Sequence, residues 1–142
     1  GYHYRMTDLQ AALGYSQLQR LDEFVDRRNQ LAQRYDQLLA DLPVQLPTVP
    51  ADRHSSFHLY PILVDPARRH DLFVSLRRAG YGVNVHYIPV PTQPEIAASL
   101  SSAPELPATE DYYRREISIP LHAALTDQQQ DSFAATFCDL FA

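Results

Sequence analysis

Apolar residues recur at Leu18, Leu21, Val25, Ala32, Tyr35, Leu39 and Leu42, in steps of three and four with one longer gap, and Arg20, Asp22, Arg27, Gln30 and Gln37 occupy the opposite side. That period predicts an amphipathic helix over 8–41, stopped by Pro43. Thr7 and Gln10 form a capping box at its start, each side chain satisfying a backbone donor of the other residue. At 1.5 Å per residue the helix runs about 50 Å, longer than a domain of this size needs for its own core, so part of it is expected to rest on something outside the chain. A coiled coil is the competing reading, but clean heptads are few and charges at the flanking positions are not systematic. Ala11, Ala12 and Gly14 leave the first turns almost bare. An interior glycine costs about 1 kcal/mol relative to alanine, so a second backbone is expected close to Gly14.

Pro43, Pro47 and Pro50 mark an extended connector to Ser55. The aromatic and branched run over 57–64 predicts a strand, and Pro61, which has no N–H to donate, places it at an edge or a bulge. Asp65-Pro66 reads as an N-cap with a first-turn proline. Leu72, Phe73 and Leu76 then make a helix face, and Gly80 closes it. Val83, Val85 and Tyr87 alternate with Asn84, His86 and Ile88, which predicts a second strand running into Pro89, Pro91 and Pro94. A short helical turn is expected over 95–100, a loop over 101–107, a short helix over 108–115 and a strand over 117–119. Thr126 and Gln129 repeat the capping box before a last helix with an apolar stripe of Phe133, Phe137, Leu140 and Phe141. Helices on one face of a small, mostly antiparallel sheet make an α+β fold.

A chain of 142 residues is one domain by length, able to bury about two-thirds of its unfolded surface. Its composition, 45% hydrophobic and 20% charged, is that of an ordinary globular protein rather than a disordered one. No apolar run approaches the ~20 residues of a membrane span, and neither a signal peptide nor an anchor is apparent, so no membrane partner is expected. The single Cys138 reads as a small hydrophobe and fits a reducing, cytoplasmic setting. Net charge is −5, and all twelve basic residues are Arg, scattered in pairs among acids, so nucleic acid is not an expected partner. Arg27-Arg28, Arg68-Arg69 and Arg77-Arg78 read as helix surface, the last pair suited to a helix C-terminus. The six His and one Cys form no helical zinc pair or cluster, so no metal is expected.

The opening loop presents Tyr2, His3, Tyr4 and Arg5. Arg5 is suited to a planar, bidentate contact with phosphate or carboxylate, and His3 to donating to the same anion. His86 and Tyr87 fall at a strand end before a Pro-rich turn, where side chains project into a cleft. His58 and Tyr60, in the first predicted strand, are expected to pack or hydrogen-bond internally.

The run Gly1-Tyr2-His3-Tyr4-Arg5-Met6-Thr7-Asp8-Leu9-Gln10, continued to Gly14, resembles the segment that opens the C-terminal portion of the DegT/StrS sugar-nucleotide aminotransferases. The likeness continues through Ser55-Ser56-Phe57-His58-Leu59-Tyr60, Val83-Asn84-Val85-His86-Tyr87-Ile88-Pro89 and Ile117-Ser118-Ile119-Pro120-Leu121, and spans essentially the whole chain. Within the family it most resembles the branch that aminates UDP-linked 4-keto-6-deoxy sugars, as on the pseudaminic acid pathway. The resemblance implies the small C-terminal domain of an aspartate-aminotransferase-like fold: an opening loop and bridging helix over 1–42, and a small α+β domain over 43–142. It implies pyridoxal 5'-phosphate as cofactor, a nucleotide sugar and an amino-acid donor, with glutamate the one expected, as substrates, and a homodimer.

In that family His3 stands where Asn is common, a residue that reaches across the dimer to the cofactor phosphate. The resemblance therefore places His3 and Arg5 at the cofactor, and Tyr2, His86 and Tyr87 at the sugar nucleotide. The family often continues the His86 block with a His and an aromatic pair, where this chain has Pro91, Glu95 and Ile96. Enzymes of this kind hold the cofactor on a lysine amine, and the chain has no Lys, so no catalytic residue is expected here and the chain alone is expected to be inactive. The alternative is a non-catalytic dimerisation or binding module.

Overall fold

The computed structural model describes residues 2–102 and 104–142; Gly1 at the head of the opening stretch and Ala103 in the expected 101–107 loop lie outside it. The elements run α1 (Asp8–Leu18), α2 (Leu21–Leu38), β1 (Tyr60–Leu63), α3 (Arg69–Arg78), a 3-10 turn at Val90–Thr92, α4 (Pro94–Ser99), α5 (Pro107–Arg115), β2 (Glu116–Ile119) and α6 (Asp127–Asp139).

β1 and β2 pair antiparallel, Tyr60 opposite Ile119 and Leu63 opposite Glu116. Single antiparallel bridges widen the pair on either side, Gln45 to Leu63 and Asn84 to Ser118. One face of this small sheet carries Tyr60, Ile62, Ile117 and Ile119, all buried, and α2, α3 and α6 cover it with Ala32, Tyr35, Leu72, Leu76, Phe133, Ala134 and Phe137. Tyr35 and Phe133 meet edge to face at 5.9 Å, an aromatic geometry that adds to their burial. Burial raises the Tyr35 and Tyr60 phenols well above their ordinary range. Both stay satisfied: Tyr35 donates to the Pro120 carbonyl at 2.9 Å and Tyr60 to the Asp36 carboxylate. The α+β class is therefore the one expected, with the helices on one sheet face.

Several local expectations give way to particular contacts. The helix predicted over 8–41 is two helices, broken at Gln19-Arg20, where Arg20 N–H turns back to the Gln17 carbonyl. Neither residue is a helix breaker. No residue of α1 is buried, whereas Leu31, Ala32 and Tyr35 of α2 are, so only α2 is held in place by packing. A Cβ built on Gly14 meets nothing within 4 Å, so no backbone of this chain requires glycine there. The first strand begins at Tyr60 rather than residue 57, because Phe57 has φ +44°, outside the extended region. His58 thus lies outside the strand and is exposed, not packed. Pro61 does sit where its missing donor does no harm. Leu63, two residues on and facing the same flank, exchanges bonds with Gln45, beyond which the described residues place no further strand.

Asp65 caps a turn ahead of α3 rather than α3 itself: its Oδ1 accepts from Ala67 N–H at 2.8 Å and its carbonyl from Arg68 and Arg69. Gly80, at φ +90°, ends α3 as expected. Tyr81 N–H reaches back to the Leu76 carbonyl and Gly80 N–H to Arg77, the paired bonds of a Schellman ending.

Two arginine pairs are structural ties, not solvated helix charge. Arg27 donates to the Leu125 carbonyl and to Asp127, both at 2.7 Å, and Arg28 to the Ser56 carbonyl at 2.9 Å. Arg68 donates to Leu140 and Arg69 to Tyr113 carbonyls. Each fork satisfies a carbonyl that a turn leaves without a ladder partner. Among the described residues no helix is long and apolar enough to cross a membrane.

Both capping boxes form with the same bonds. Thr126→Ala should lower global stability by about 1 kcal/mol in urea denaturation, because α6 buries Phe133 and Phe137. Thr7→Ala should leave it unchanged and instead speed amide exchange in α1, which is held by no core contact. The Arg27 hydrogen bond and charge hold the Asp127 carboxyl below its ordinary value. A depressed carboxyl stabilises the fold above its unfolded value, about 4, and loses that contribution as pH falls through the folded one. The fall in Tm between pH 7 and pH 2 should accordingly be shallower in Asp127→Asn than in the parent.

Candidate functional site

β2 alternates in chemistry although all four of its residues are buried. Ile117 and Ile119 face the core, so the period of two turns Glu116 and Ser118 to the opposite face of the sheet. That face is closed by residues 84–88. Tyr81 and Val83 anchor this segment: the Tyr81 hydroxyl donates to the Ser132 carbonyl at 2.9 Å, and Val83 is buried in the core.

Asn84 and Ser118 exchange both backbone bonds, at 3.1 and 2.8 Å. In a continuing antiparallel ladder His86 would next exchange with Glu116. It does not, because the Glu116 N–H is already spent on the Tyr112 carbonyl at the end of α5. His86 N–H turns instead to the Glu116 side chain, donating to Oε2 at 2.9 Å. The strand predicted over 83–88 is thereby reduced to one bridge, and the side chains beyond it are freed from the pleat.

What forms in its place is a polar chain. Glu116, fully buried, accepts from the Ser118 hydroxyl at 2.5 Å, and Ser118 Oγ lies 2.8 Å from His86 Nδ1. Asn84 Nδ2 lies 3.4 Å from His86 Nε2, with the amide orientation set by Val85 N–H, which donates to Asn84 Oδ1 at 2.9 Å. Burial and then the Glu116 charge push the Tyr112 phenol above its ordinary value. Tyr87 stacks edge-on against the His86 ring at 4.6 Å and is 70% exposed. His86 and Tyr87 therefore form one presented pair, half-buried and exposed respectively.

The opening loop is a second, separate group. Tyr2, His3, Tyr4 and Arg5 are all exposed, and the Tyr2 and Tyr4 rings lie 5.9 Å apart. Among the described residues no hydrogen bond or ion pair engages His3 or Arg5, and none joins this loop to His86 or Tyr87. The exposed apolar side chains of Met6, Leu9, Leu13, Tyr15 and Leu18 continue from the loop along α1.

The donor set fits part of pyridoxal phosphate. Arg5 and His3 are unengaged donors of the type that bind a phosphate dianion. The sequence holds no lysine, so covalent attachment of the aldehyde to a lysine of this chain is impossible. Among the described residues no group of three or more His, Cys, Asp or Glu side chains is placed to hold a metal. Sequence reasoning missed Glu116 and Ser118; the available signal was a lone Glu and Ser alternating with Ile in an otherwise apolar strand.

Comparison with known proteins follows the same lines. The model of the DegT/DnrJ/EryC1/StrS aminotransferase family matches residues 1–137. A UDP-4-amino-4,6-dideoxy-N-acetyl-beta-L-altrosamine transaminase of Campylobacter jejuni is 37% identical over 126 residues, 86% of this chain and 33% of the relative. The solved Helicobacter pylori PseC, described as an aminotransferase involved in the biosynthesis of pseudoaminic acid, superposes with a TM-score of 0.91 at 31% identity. That superposition covers 99% of this chain and 39% of the other. The PLP-form of a sugar aminotransferase, Spr1654 of Streptococcus pneumoniae, described as putative, superposes at 0.86 and 31% identity, over 94% of this chain and 35% of that one. The chain thus spans about a third of the length of the curated relatives it matches.

Glu116→Ala should lower stability by about 2 kcal/mol in urea denaturation, since it strands the His86 N–H without an acceptor, while the Ser118 hydroxyl can turn to His86 Nδ1. Ser118→Ala, which leaves Glu116 its backbone donor, should cost about half as much.

Proposed function

The chain belongs to the DegT/DnrJ/EryC1/StrS aminotransferase family, and from that premise we propose that it works as the small domain of a pyridoxal-phosphate-dependent transaminase. The enzyme moves an amino group from an amino acid, glutamate by preference, to a nucleotide-linked keto-deoxy sugar. The observation that carries this reading is the superposition at TM-score 0.91 on the H. pylori aminotransferase over 99% of the chain.

Pyridoxal phosphate, when bound, supplies the electron sink for moving the amino group. The residues of this chain act around it. Arg5 and His3 hold the phosphate by charge-assisted hydrogen bonds from a loop in which, among the described residues, no hydrogen bond or ion pair engages either side chain. His86 and Tyr87 make one wall of the sugar site, with Tyr2 reaching it from the opening loop. The covalent lysine comes from sequence outside these 142 residues. The exposed apolar side chains along α1 support a further part of the reading, in which this helix is covered by a larger domain or by a second subunit of a homodimer.

A graft tests this. The chain set in place of the matching segment of the H. pylori aminotransferase should retain amino transfer to a nucleotide-linked 4-keto-6-deoxy sugar. Arg5→Ala in that graft should raise the pyridoxal phosphate needed for half-maximal activity about tenfold, the equivalent of one contact of about 1.4 kcal/mol. The chain alone, mixed with the cofactor and reduced with borohydride, should carry no adduct on any side chain by peptide mass mapping. A side-chain adduct, or turnover by the chain alone, would overturn the assignment of roles.

A further inference from the structure

We propose that Glu116 and Ser118 are positioning residues that hold His86 as its Nδ1–H tautomer, so that the Nε2 lone pair meets a hydrogen-bond donor of the ligand, a sugar hydroxyl, and disfavours a phosphate. The inference rests on the reading of His86 as a substrate contact and adds the chemistry that contact can recognise.

The direction of the chain follows from counting protons. Glu116 accepts at both oxygens, from His86 N–H at Oε2 and from Ser118 Oγ–H at Oε1. Ser118 Oγ lies 2.5 Å from Glu116 Oε1, with the hydroxyl as donor. Ser118 has one proton, now spent on Glu116, so toward His86 its oxygen acts as acceptor. The 2.8 Å contact is therefore Nδ1–H donating to Oγ. A neutral imidazole protonated at Nδ1 carries its lone pair at Nε2.

Asn84 reports the same polarity independently. Val85 N–H occupies Asn84 Oδ1, which leaves the NH₂ group, a donor only, pointing at Nε2. A donor aimed at Nε2 fits a lone pair and opposes a second ring N–H. The Asn84 contact is long, 3.4 Å, so a ligand hydroxyl at about 2.8 Å competes with it on favourable terms. The oxygens of a fully ionised phosphate ester are acceptors only and find no donor at Nε2, because the one ring N–H is spent on Ser118.

The arrangement also explains a burial that would otherwise be costly. A carboxylate taken fully out of water is tolerated where its oxygens are bonded, and Glu116 spends both of them on orienting His86. Removing the hydroxyl between them leaves only the long Asn84 contact to bias the ring.

Long-range ¹H–¹⁵N correlation spectra of the ¹⁵N-labelled full chain at pH 8, with His86 assigned by its loss in His86→Gln, read the tautomer directly. The parent should show predominantly Nδ1–H. Ser118→Ala, which leaves only the long Asn84 contact to favour that tautomer, should raise the Nε2–H population measurably, and Ser118→Thr, which keeps the hydroxyl, should restore the parent pattern. Nε2–H in the parent, or a pattern unmoved by Ser118→Ala, would overturn the proposal.

Ligand arms separate this inference from the reading beneath it. UDP-glucose should shift the His86 Nε2 resonance and methyl phosphate, a dianion without a P–OH at pH 8, should not; a shift with methyl phosphate alone would overturn the proposed selectivity. The Nδ1–H pattern in the chain, together with an unchanged KM for the nucleotide sugar when His86→Gln is placed in the graft on the H. pylori aminotransferase, would uphold the positioning role and reject His86 as a substrate contact.

Discussion

The structure depends on a strand of four residues that has no exposed side. Glu116–Ile119 pairs with β1 along one edge and with Asn84 along the other, sends Ile117 and Ile119 into the core, and sends Glu116 and Ser118 to the opposite face. A period of two turns a core strand into a site strand at no cost in length. Register follows, since a slip of one residue would put a carboxylate among Tyr35, Ile62 and Phe133 and an isoleucine against His86.

That constraint explains why the presented His86-Tyr87 pair lies beside a strand rather than within one. The end of α5 takes the Glu116 N–H, the ladder stops after one bridge, and the next donor in line goes to a side chain. Helix end, strand start and site are therefore consequences of where one amide hydrogen goes. The same economy appears at the rim, where Arg27, Arg28, Arg68 and Arg69 tie loop carbonyls to helices and close the domain without further sheet.

The opening loop and α1 stand in contrast. α1 has a capping box and a run of good helix formers, yet no residue of it is buried and its leucines face outward. Propensity and capping favour such a helix locally but do not place it, because placement comes from burying a face. The loop before it carries His3 and Arg5, both exposed, and among the described residues no hydrogen bond or ion pair engages them. In the proposed enzyme these two features meet partners, and the chain contributes one wall of a cleft rather than the whole of it.

Much was legible in the residues alone. Both capping boxes, the apolar faces of α2, α3 and α6, the glycine ending of α3 and the α+β class follow from local period and cap chemistry, which act over three to five residues and need no knowledge of neighbours. The ordered blocks from Tyr2 to Leu121 also carry the family likeness. Other features belong to the tertiary structure. The break at Gln19-Arg20, the loss of the strand over 83–88 and the array from Glu116 through Ser118 to His86 join residues 30 or more positions apart, or reflect the absence of a packing partner. Alternating hydrophobicity cannot show that a backbone donor has already been taken by a helix end, because that competition exists only once the chain has folded.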